Sequence, residues 1–249
     1  MIGRSLRTIE PTLPAHTGRE TGLAYTVWLP PKDPQAARGG VIVLHGAGSC
    51  KENHYDFIRA ALALGLGAIA FDQRGHGESD GPMDAGAVED VVTMAGVLRS
   101  ALGDQQAPLA LRGSSMGGYL AILAAAPVKA SAVVAICPAS AEGLRRGLER
   151  RAFTFDVDVP ALGDWLDSNP LEPAVRALQA PLLLLHAEGD EQVPVQHSRE
   201  LSAIATAPGS RLITVPGGHH RSVQHDEELQ AVSLNFIVKV FAGGIHRRG

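Results

Sequence analysis

The chain has 249 residues, 45% of them hydrophobic, and a formal net charge of −4 at pH 7. This length accommodates one large α/β domain or two small ones, and the apolar fraction suffices for a substantial core. Acidic and basic residues are mixed along the chain, which disfavours nucleic acid or an anionic membrane surface as the main partner. Because no linker-like stretch or internal repeat divides the sequence, we expect a single domain over residues 1–249.

The N-terminal stretch from Met1 to Glu10 has basic residues but lacks an apolar h-region, so it predicts no secretory signal. The apolar runs are shorter than a membrane span requires. Cys50 and Cys137 match no metal or redox spacing, which favours free thiols in a reducing compartment. We therefore expect a cytoplasmic protein with no membrane span, although a mature exported chain that has lost its signal would look the same.

Apolar runs alternate with helix-like segments along the first half of the chain. Residues 24–29 predict an early strand, and Val41 to Leu44 form a β-branched run typical of a strand buried on both faces. Residues 67–71 predict the next strand. Helical spacing links Tyr55, Ile58 and Leu62, and again Val88, Val91, Val92, Ala95 and Leu98.

The second half continues the alternation. Strands are predicted at 108–112, 132–137, 181–186 and 211–215, and helices at 118–126, stopped by Pro127, around Leu201 and Ile204, and from Leu229 to Val240, stopped by Gly243. Strands that alternate with helices predict an α/β fold with a mostly parallel sheet covered on both faces. Active sites in such sheets lie at the carboxyl ends of the strands.

Residues 139–173 interrupt the alternation after the strand that ends near Cys137. This segment contains two arginine pairs and several large apolar side chains between acidic residues. We interpret it as a small helical or irregular cap over the strand ends. A surface excursion without contact to a ligand is the alternative.

The pentapeptide Gly113–Gly117 (G-S-S-M-G) has a strand candidate before it and a helix-forming stretch after it. Strand, G-x-S-x-G and helix together are typical of a nucleophile elbow, in which a sharp turn exposes the serine hydroxyl. Glycine permits that turn without side-chain clashes. Ser115 is therefore the candidate nucleophile.

A second match, Gly77–Gly81 (G-E-S-D-G), shows that the pattern alone is ambiguous. It follows a polar run and leads into Gly81-Pro82, a turn signal. No strand directly precedes it and no helix directly follows. We interpret Ser79 as a loop residue.

A serine hydroxyl needs a base, and the base needs an orienting partner. Asp190 follows the strand at 181–186 in a Gly-containing turn, the position for a buried carboxylate. After the strand at 211–215 the chain reads P-G-G-H-H, which brings His219 and His220 to the same edge. The chain order is then Ser, Asp, His, the order found in α/β-hydrolases.

With these motifs the chain resembles an α/β-hydrolase of the serine esterase type from about Ala24 to the last helix. It is most similar to small bacterial esterases and to the families that include monoacylglycerol lipases and serine aminopeptidases. In such relatives the base usually follows directly on the glycine, which favours His219 over His220. The residues L-H-G-A-G-S from Leu44 onward resemble the HGxG oxyanion loop, and the resemblance assigns the oxyanion N–H donors to Ala47 and Met116.

Residues 72–79 (D-Q-R-G-H-G-E-S) resemble the DxRGxGxS loop of the same family. The resemblance implies a structural role for Asp72 and Arg74, with a direct substrate contact from His76 as an alternative. A metal site formed by His219, His220 and His225 is disfavoured, because adjacent histidines point in different directions and no further ligand spacing supports zinc. His54, His186, His197 and His246 are interpreted as surface or packing residues.

The resemblance implies a serine hydrolase that cleaves carboxylic esters of small to medium acyl groups through an acyl-enzyme, with no metal and no cofactor. The same triad could serve a thioesterase, an aminopeptidase or a carbon–carbon bond hydrolase. A non-catalytic ligand receptor with this fold is an alternative from a different class. Because only 4% of the residues are aromatic, we do not expect a large stacking pocket. The sequence does not determine the oligomeric state.

Overall fold

The computed structural model describes residues 13–30 and 39–243, so the expectations for Met1 to Glu10 and for His246 lie outside the described residues. Within these ranges eight strands form one sheet, in the order β1-β2-β4-β3-β5-β6-β7-β8. The strands β1 and β2, and β2 and β4, pair antiparallel, and the other neighbours pair parallel. The predicted α/β fold with a mostly parallel sheet is confirmed. The strands are β1 (His16–Glu20), β2 (Leu23–Trp28), β3 (Gly40–Leu44), β4 (Gly67–Phe71), β5 (Leu109–Ser114), β6 (Ala132–Ile136), β7 (Leu182–Ala187) and β8 (Arg211–Val215).

Helices connect the parallel strands and cover both faces of the sheet. A short 3₁₀ helix at Lys51–His54 precedes the first α-helix. The helices are α1 (Tyr55–Ala63), α2 (Ala87–Leu102), α3 (Met116–Val128), α4 (Ala141–Glu149), α5 (Val159–Ser168), α6 (Leu171–Ala177), α7 (Val195–Ile204), α8 (Ser222–His225) and α9 (Glu227–Phe241).

The central strands divide the core into two apolar clusters, one on each face of the sheet. In β3, Ile42 and Leu44 belong to the cluster covered by α2, α3 and α7, whereas Val41 and Val43 belong to the one covered by α1 and α9. This alternation follows from the period of two along a strand. All four side chains are buried, as the continuous β-branched run predicts for a strand covered on both faces.

Two details differ from the sequence prediction. The strand β1 was not predicted, because it lies at the sheet edge, four of its five residues are exposed, and its sequence HTGRE carries no apolar alternation. Pro127 does not stop α3 but lies in its last turn, and the helix ends at Val128 with Lys129 in the left-handed conformation at φ 55°. Residues Ala125 and Ala126 accept the hydrogen bonds that close this end.

The segment between β6 and β7, predicted as a small helical or irregular cap, contains three short helices, α4 to α6. Asp158 caps α5 by accepting a hydrogen bond from the backbone N–H of Ala161. The hydroxyl of Tyr119 in α3 donates to the carbonyl of Asn169 over 2.7 Å, which joins the segment to the helix behind the elbow. Among the described helices, none is long and apolar enough to cross a membrane.

Candidate active site

Ser115 forms the turn between β5 and α3. Its backbone has φ 55° and ψ −118°, a conformation that L-residues rarely adopt and that is found where surrounding structure enforces it. A Cβ on Gly113 would lie 2.0 Å from the carbonyl oxygen of Gly117, and one on Gly117 would lie 2.2 Å from that of Leu44. Both positions of the motif therefore require glycine. Ser115 occupies the elbow geometry that the motif predicts.

Asp190 lies in the turn after β7, and the histidine that contacts it is His220. The Nδ1 atom of His220 lies 2.7 Å from Oδ2 of Asp190, and Oδ1 of Asp190 accepts hydrogen bonds from the backbone N–H groups of Gln192 and Val193. His220 is buried, whereas His219 is exposed. The structure therefore pairs Asp190 with His220 and not with His219, the histidine that the sequence prediction favours.

The turn after β8 explains why the second histidine reaches the acid. Gly217 and Gly218 both adopt positive φ, at 66° and 73°, which reverses the chain direction just before the histidines. The hydroxyl of Ser222 accepts from the N–H of His219 over 3.0 Å and lies 2.8 Å from its carbonyl oxygen, to which it donates. The backbone N–H of Gly189 donates to the carbonyl of Gly217, so this loop is tied directly to the Asp190 turn.

A second histidine, His186, also contacts Asp190. The Nε2 atom of His186, fully buried in β7, lies 3.4 Å from Oδ2 of Asp190 and 2.9 Å from the carbonyl of Val193. Because a carbonyl oxygen can only accept, Nε2 carries the proton that is donated to Val193, and Nδ1 lies 2.7 Å from the hydroxyl of Ser198. Burial raises the pKa of Asp190, but the hydrogen bonds from His186, His220 and the two amides outweigh it and hold this pKa well below its usual range. His186, interpreted from sequence as a packing residue, thus contacts the acid.

The cluster of Cys137, Asp190 and His220 has ligand atoms within 4.8 Å of one another, the spacing of a metal site. Burial raises the pKa of the Cys137 thiol, so the free thiol is protonated at neutral pH. The Asp190 carboxylate is already occupied by its hydrogen bonds. This donor set therefore fits an acid–histidine pair better than a metal.

The loop after β3 brings Ala47 close to Ser115. A Cβ on Gly46 would lie 3.3 Å from both the carbonyl of Ser114 and the Cβ of Ser115, so the loop lies against the elbow. Met116 is the first residue of α3, where backbone N–H groups have no intrahelical acceptor. In residues 13–30 and 39–243, no hydrogen bond engages the backbone N–H of Ala47 or Met116. The oxyanion role that the resemblance assigns to these two N–H groups stays a prediction.

Two buried histidines hold this loop. The Nε2 atom of His45 accepts a hydrogen bond from the N–H of Gln73, and its Nδ1 donates to the carbonyl of Gly46 over 2.8 Å. The Nε2 atom of His76 accepts from the N–H of Gly48, and its Nδ1 donates to the carbonyl of Arg74. Burial lowers the pKa of His45 to about 4, aided by the nearby His76, and burial also lowers the pKa of His76. Both rings are thus neutral, and His76 supports the loop rather than presenting a free nitrogen to a substrate.

Asp72 organises the neighbouring loop. Its carboxylate accepts hydrogen bonds from the backbone N–H groups of Lys51 and Glu78 and from the buried ammonium of Lys51, at 2.7–3.0 Å. Arg74 donates two hydrogen bonds to Asp90, each 2.6 Å long. These contacts give Asp72 and Arg74 the structural role that the resemblance implies. Ser79 donates to the carbonyl of Asp72 and accepts from the N–H of Ala24, and it lies in a loop as predicted.

Ser115 and His220 line one cavity of about 580 Å³. Residues of the segment between β6 and β7 also line this cavity, among them Leu144, Phe153 and Thr154. An apolar pocket of about 10 Å³ shares Leu144 and Phe153 with it. Four aromatic side chains line that pocket, although aromatic residues are few in the whole chain: Tyr119, Phe153, Phe155 and Trp165. They fill the pocket, so no large stacking site is open there.

Residues 40–167 match the family model described as alpha/beta hydrolase fold. That match covers more than half of the chain, and the strand order and the elbow agree with it. The chain belongs to the alpha/beta hydrolase fold family.

Two relatives and one solved structure share 22–28% sequence identity with this chain. The chain is 28% identical over 209 residues to the protein YfhR of Escherichia coli O157:H7, which is described as uncharacterized, with 80% of this chain and 69% of the relative covered. It is 27% identical over 252 residues to a monoacylglycerol lipase of Mycolicibacterium smegmatis, covering 83% and 88%. The crystal structure of Paleococcus ferrophilus monoacylglycerol lipase superposes with a TM-score of 0.68 at 22% identity, covering 88% of this chain and 99% of that one. At that identity the superposition shows the shared fold.

Proposed function

We propose that this protein is a serine hydrolase that cleaves carboxylic esters with Ser115, His220 and Asp190. One observation carries the proposal: Ser115 and the His220 ring that is held by Asp190 line the same cavity. The similarity to monoacylglycerol lipases supports the same reaction class. Fold alone would not assign a chemistry, so the proposal depends on the residues at this site.

In the proposed reaction, Nε2 of His220 takes the proton from Ser115 as Oγ attacks the ester carbonyl. Asp190 accepts the Nδ1–H of His220, which fixes the tautomer that leaves Nε2 free, and stabilises the imidazolium that forms. The tetrahedral intermediate expels the alcohol, which takes the proton from His220. A water molecule then attacks the acyl-enzyme by the same route and releases the carboxylic acid and free Ser115.

The negative charge that develops on the carbonyl oxygen needs preorganised donors. The backbone N–H groups of Ala47 and Met116 supply them in this proposal, since neither is engaged by a described acceptor. His45 and His76 hold the Ala47 loop through Gly46 and Gly48. Loss of one such donor typically costs about 3 kcal/mol of transition-state stabilisation.

The size of the site favours small to medium acyl groups. The cavity of about 580 Å³ accommodates a small ester. The neighbouring apolar pocket, with about 10 Å³ free, admits no long acyl chain unless the helices α4 and α5 move. We extend the proposal to the segment 139–173, which would act as a cap that limits chain length.

Fluorophosphonate labelling followed by peptide mapping tests the nucleophile. We expect the adduct on Ser115, and we expect Ser115→Ala to abolish labelling and to lower kcat on 4-nitrophenyl acetate by about 10⁴ or more. Ser49→Ala is a matched control, because Ser49 also lines the cavity. An adduct on Ser49, Ser79 or Ser114, or near-normal turnover by Ser115→Ala, would overturn the proposal.

A further inference from the structure

The cavity that contains Ser115 has positive charge on its wall and no acidic lining residue among the part of the chain that the structure describes. Arg221 supplies this charge, and the polar side chains of Asn53, Gln224 and His225 also line the cavity. The Asp190 carboxylate is buried behind His220 and does not line the cavity. A neutral ester would leave such a wall without a charged partner.

A buried arginine adds to the charge from behind the same wall. Arg112, in β5 before the elbow, is only 1% exposed, and its guanidinium lies 4.0 Å from the ring centroid of Phe57. Its Nη2 donates to the backbone carbonyl of Gln224, a residue that lines the cavity, over 2.8 Å. Burial lowers the pKa of Arg112 to about 10, which leaves the guanidinium charged at neutral pH.

Among the described residues, no carboxylate forms an ion pair with the Arg112 guanidinium. Within the described ranges no carboxylate lies within 4.0 Å of the Arg112 guanidinium, and Nε of Arg112 is buried without a hydrogen-bond partner. Asp56 is near enough to raise the pKa of Arg112, but it is engaged by His225 and Gln230. Arg112 thus has one carboxylate nearby but no ion pair among the described residues.

His54 and the carboxylates around Lys51 add no charged side chain to the cavity wall. Burial, with Arg112 next in importance, lowers the pKa of His54 to about 3, so this ring is neutral at neutral pH. The carboxylates of Glu52, Asp72 and Glu78 pair with Lys51 and do not line the cavity. Arg221 is therefore the arginine on the cavity wall that a bound anionic group would meet, and no described carboxylate lines that wall.

We infer that the substrate of this site is an ester that carries a negatively charged group near the scissile bond, held by Arg221 in the field of Arg112. This inference rests on the proposed ester hydrolysis and adds the substrate class to it. The anionic group lies on either the acyl or the alcohol side of the ester, and one experiment separates the two.

Two matched pairs of esters test the inference. For the acyl side, kcat/KM is compared between mono-4-nitrophenyl succinate and 4-nitrophenyl butyrate. For the alcohol side, the pair is 3-carboxyphenyl acetate and phenyl acetate. Spontaneous hydrolysis is subtracted with Ser115→Ala. We expect the anionic member of one pair to be preferred by about fivefold or more at low ionic strength, with the preference declining as salt screens the charges.

Arg221→Gln should lower that preference by about threefold, as expected for an exposed ionic contact. Arg176→Gln is the matched control, since Arg176 is exposed on α6 and does not line the cavity, and it should keep the wild-type ratio. Equal kcat/KM values within both pairs, or a preference that survives Arg221→Gln undiminished, would overturn the inference. If neutral esters are then still cleaved in a Ser115-dependent reaction, the proposed function stands without it. If no ester is cleaved and Ser115 is not labelled, both fall.

Discussion

The Nδ1 atom of His220 lies 2.7 Å from Oδ2 of Asp190, and this contact distinguishes His220 from the adjacent His219. His219 instead closes a turn with Ser222 and is exposed. Since the two residues are of the same type and adjacent, substituting each in turn changes one side chain while the loop stays nearly the same.

Gly117→Ala should destabilise the protein and lower its activity, because the new methyl group would lie 2.2 Å from the backbone oxygen of Leu44. We expect a loss of about 1–3 kcal/mol in the free energy of unfolding, as for other overpacked sites, measured by urea denaturation. The matched control is Gly96→Ala in α2, where a Cβ meets nothing within 4 Å. That control should gain up to about 1 kcal/mol, because alanine is the better helix former. Equal effects of the two substitutions would contradict the account of the elbow.

Stability should decrease as the pH falls from 7 to 5. Burial lowers the pKa of His45 to about 4 and that of His54 to about 3, so both stay neutral in the native state while the unfolded chain takes up protons below about pH 6.5. Above that pH neither ring affects the free energy of unfolding, and at pH 5 each of them lowers it by about 2 kcal/mol. Carboxylates whose native pKa is lowered lose their contribution only at still lower pH.

Urea denaturation at pH 7 and at pH 5 measures this dependence. The two histidines together predict a decrease of about 4 kcal/mol in the free energy of unfolding. A free energy that is the same at the two pH values would show that these rings are protonated or exposed in the native state.

Tyr119→Phe should loosen the segment that lies over the cavity. The substitution removes the hydrogen bond to the carbonyl of Asn169 and leaves that carbonyl without this donor, at a cost of about 1–2 kcal/mol. With α5 less firmly held, we expect kcat/KM for 4-nitrophenyl esters to shift toward longer acyl chains. Tyr25→Phe is the control, because its hydroxyl bonds His16 at the sheet edge, and it should leave the chain-length profile unchanged. An unchanged profile in Tyr119→Phe would mean that the segment does not limit the acyl chain.

Much of this arrangement could be predicted from local sequence. The buried strands β3 and β4 show as apolar runs, and Ser115 is distinguished from Ser79 by the strand and helix on either side. Asp190 follows from the position of its turn at a strand end. The edge strand β1 has no such pattern, because its side chains are largely exposed.

The choice between the two histidines could not be predicted in the same way. It depends on the backbone angles of Gly217 and Gly218 and on the turn closed by Ser222, and none of these leaves a pattern in composition or spacing. The contact of Arg112 with Gln224 joins residues 112 positions apart, so only the folded chain shows it. The four aromatic side chains that line the small apolar pocket likewise come together only in the folded chain.

The most direct measurement compares kcat/KM for 4-nitrophenyl acetate in His219→Ala and His220→Ala. We predict that His220→Ala loses about 10³-fold or more, as expected when a triad base is removed, and reacts slowly with fluorophosphonate. His219→Ala should remain within about threefold of the wild-type protein, since its side chain is exposed and does not line the cavity. A large loss in His219→Ala with near-normal activity in His220→Ala would contradict the assignment of Ser115, His220 and Asp190 as the catalytic residues.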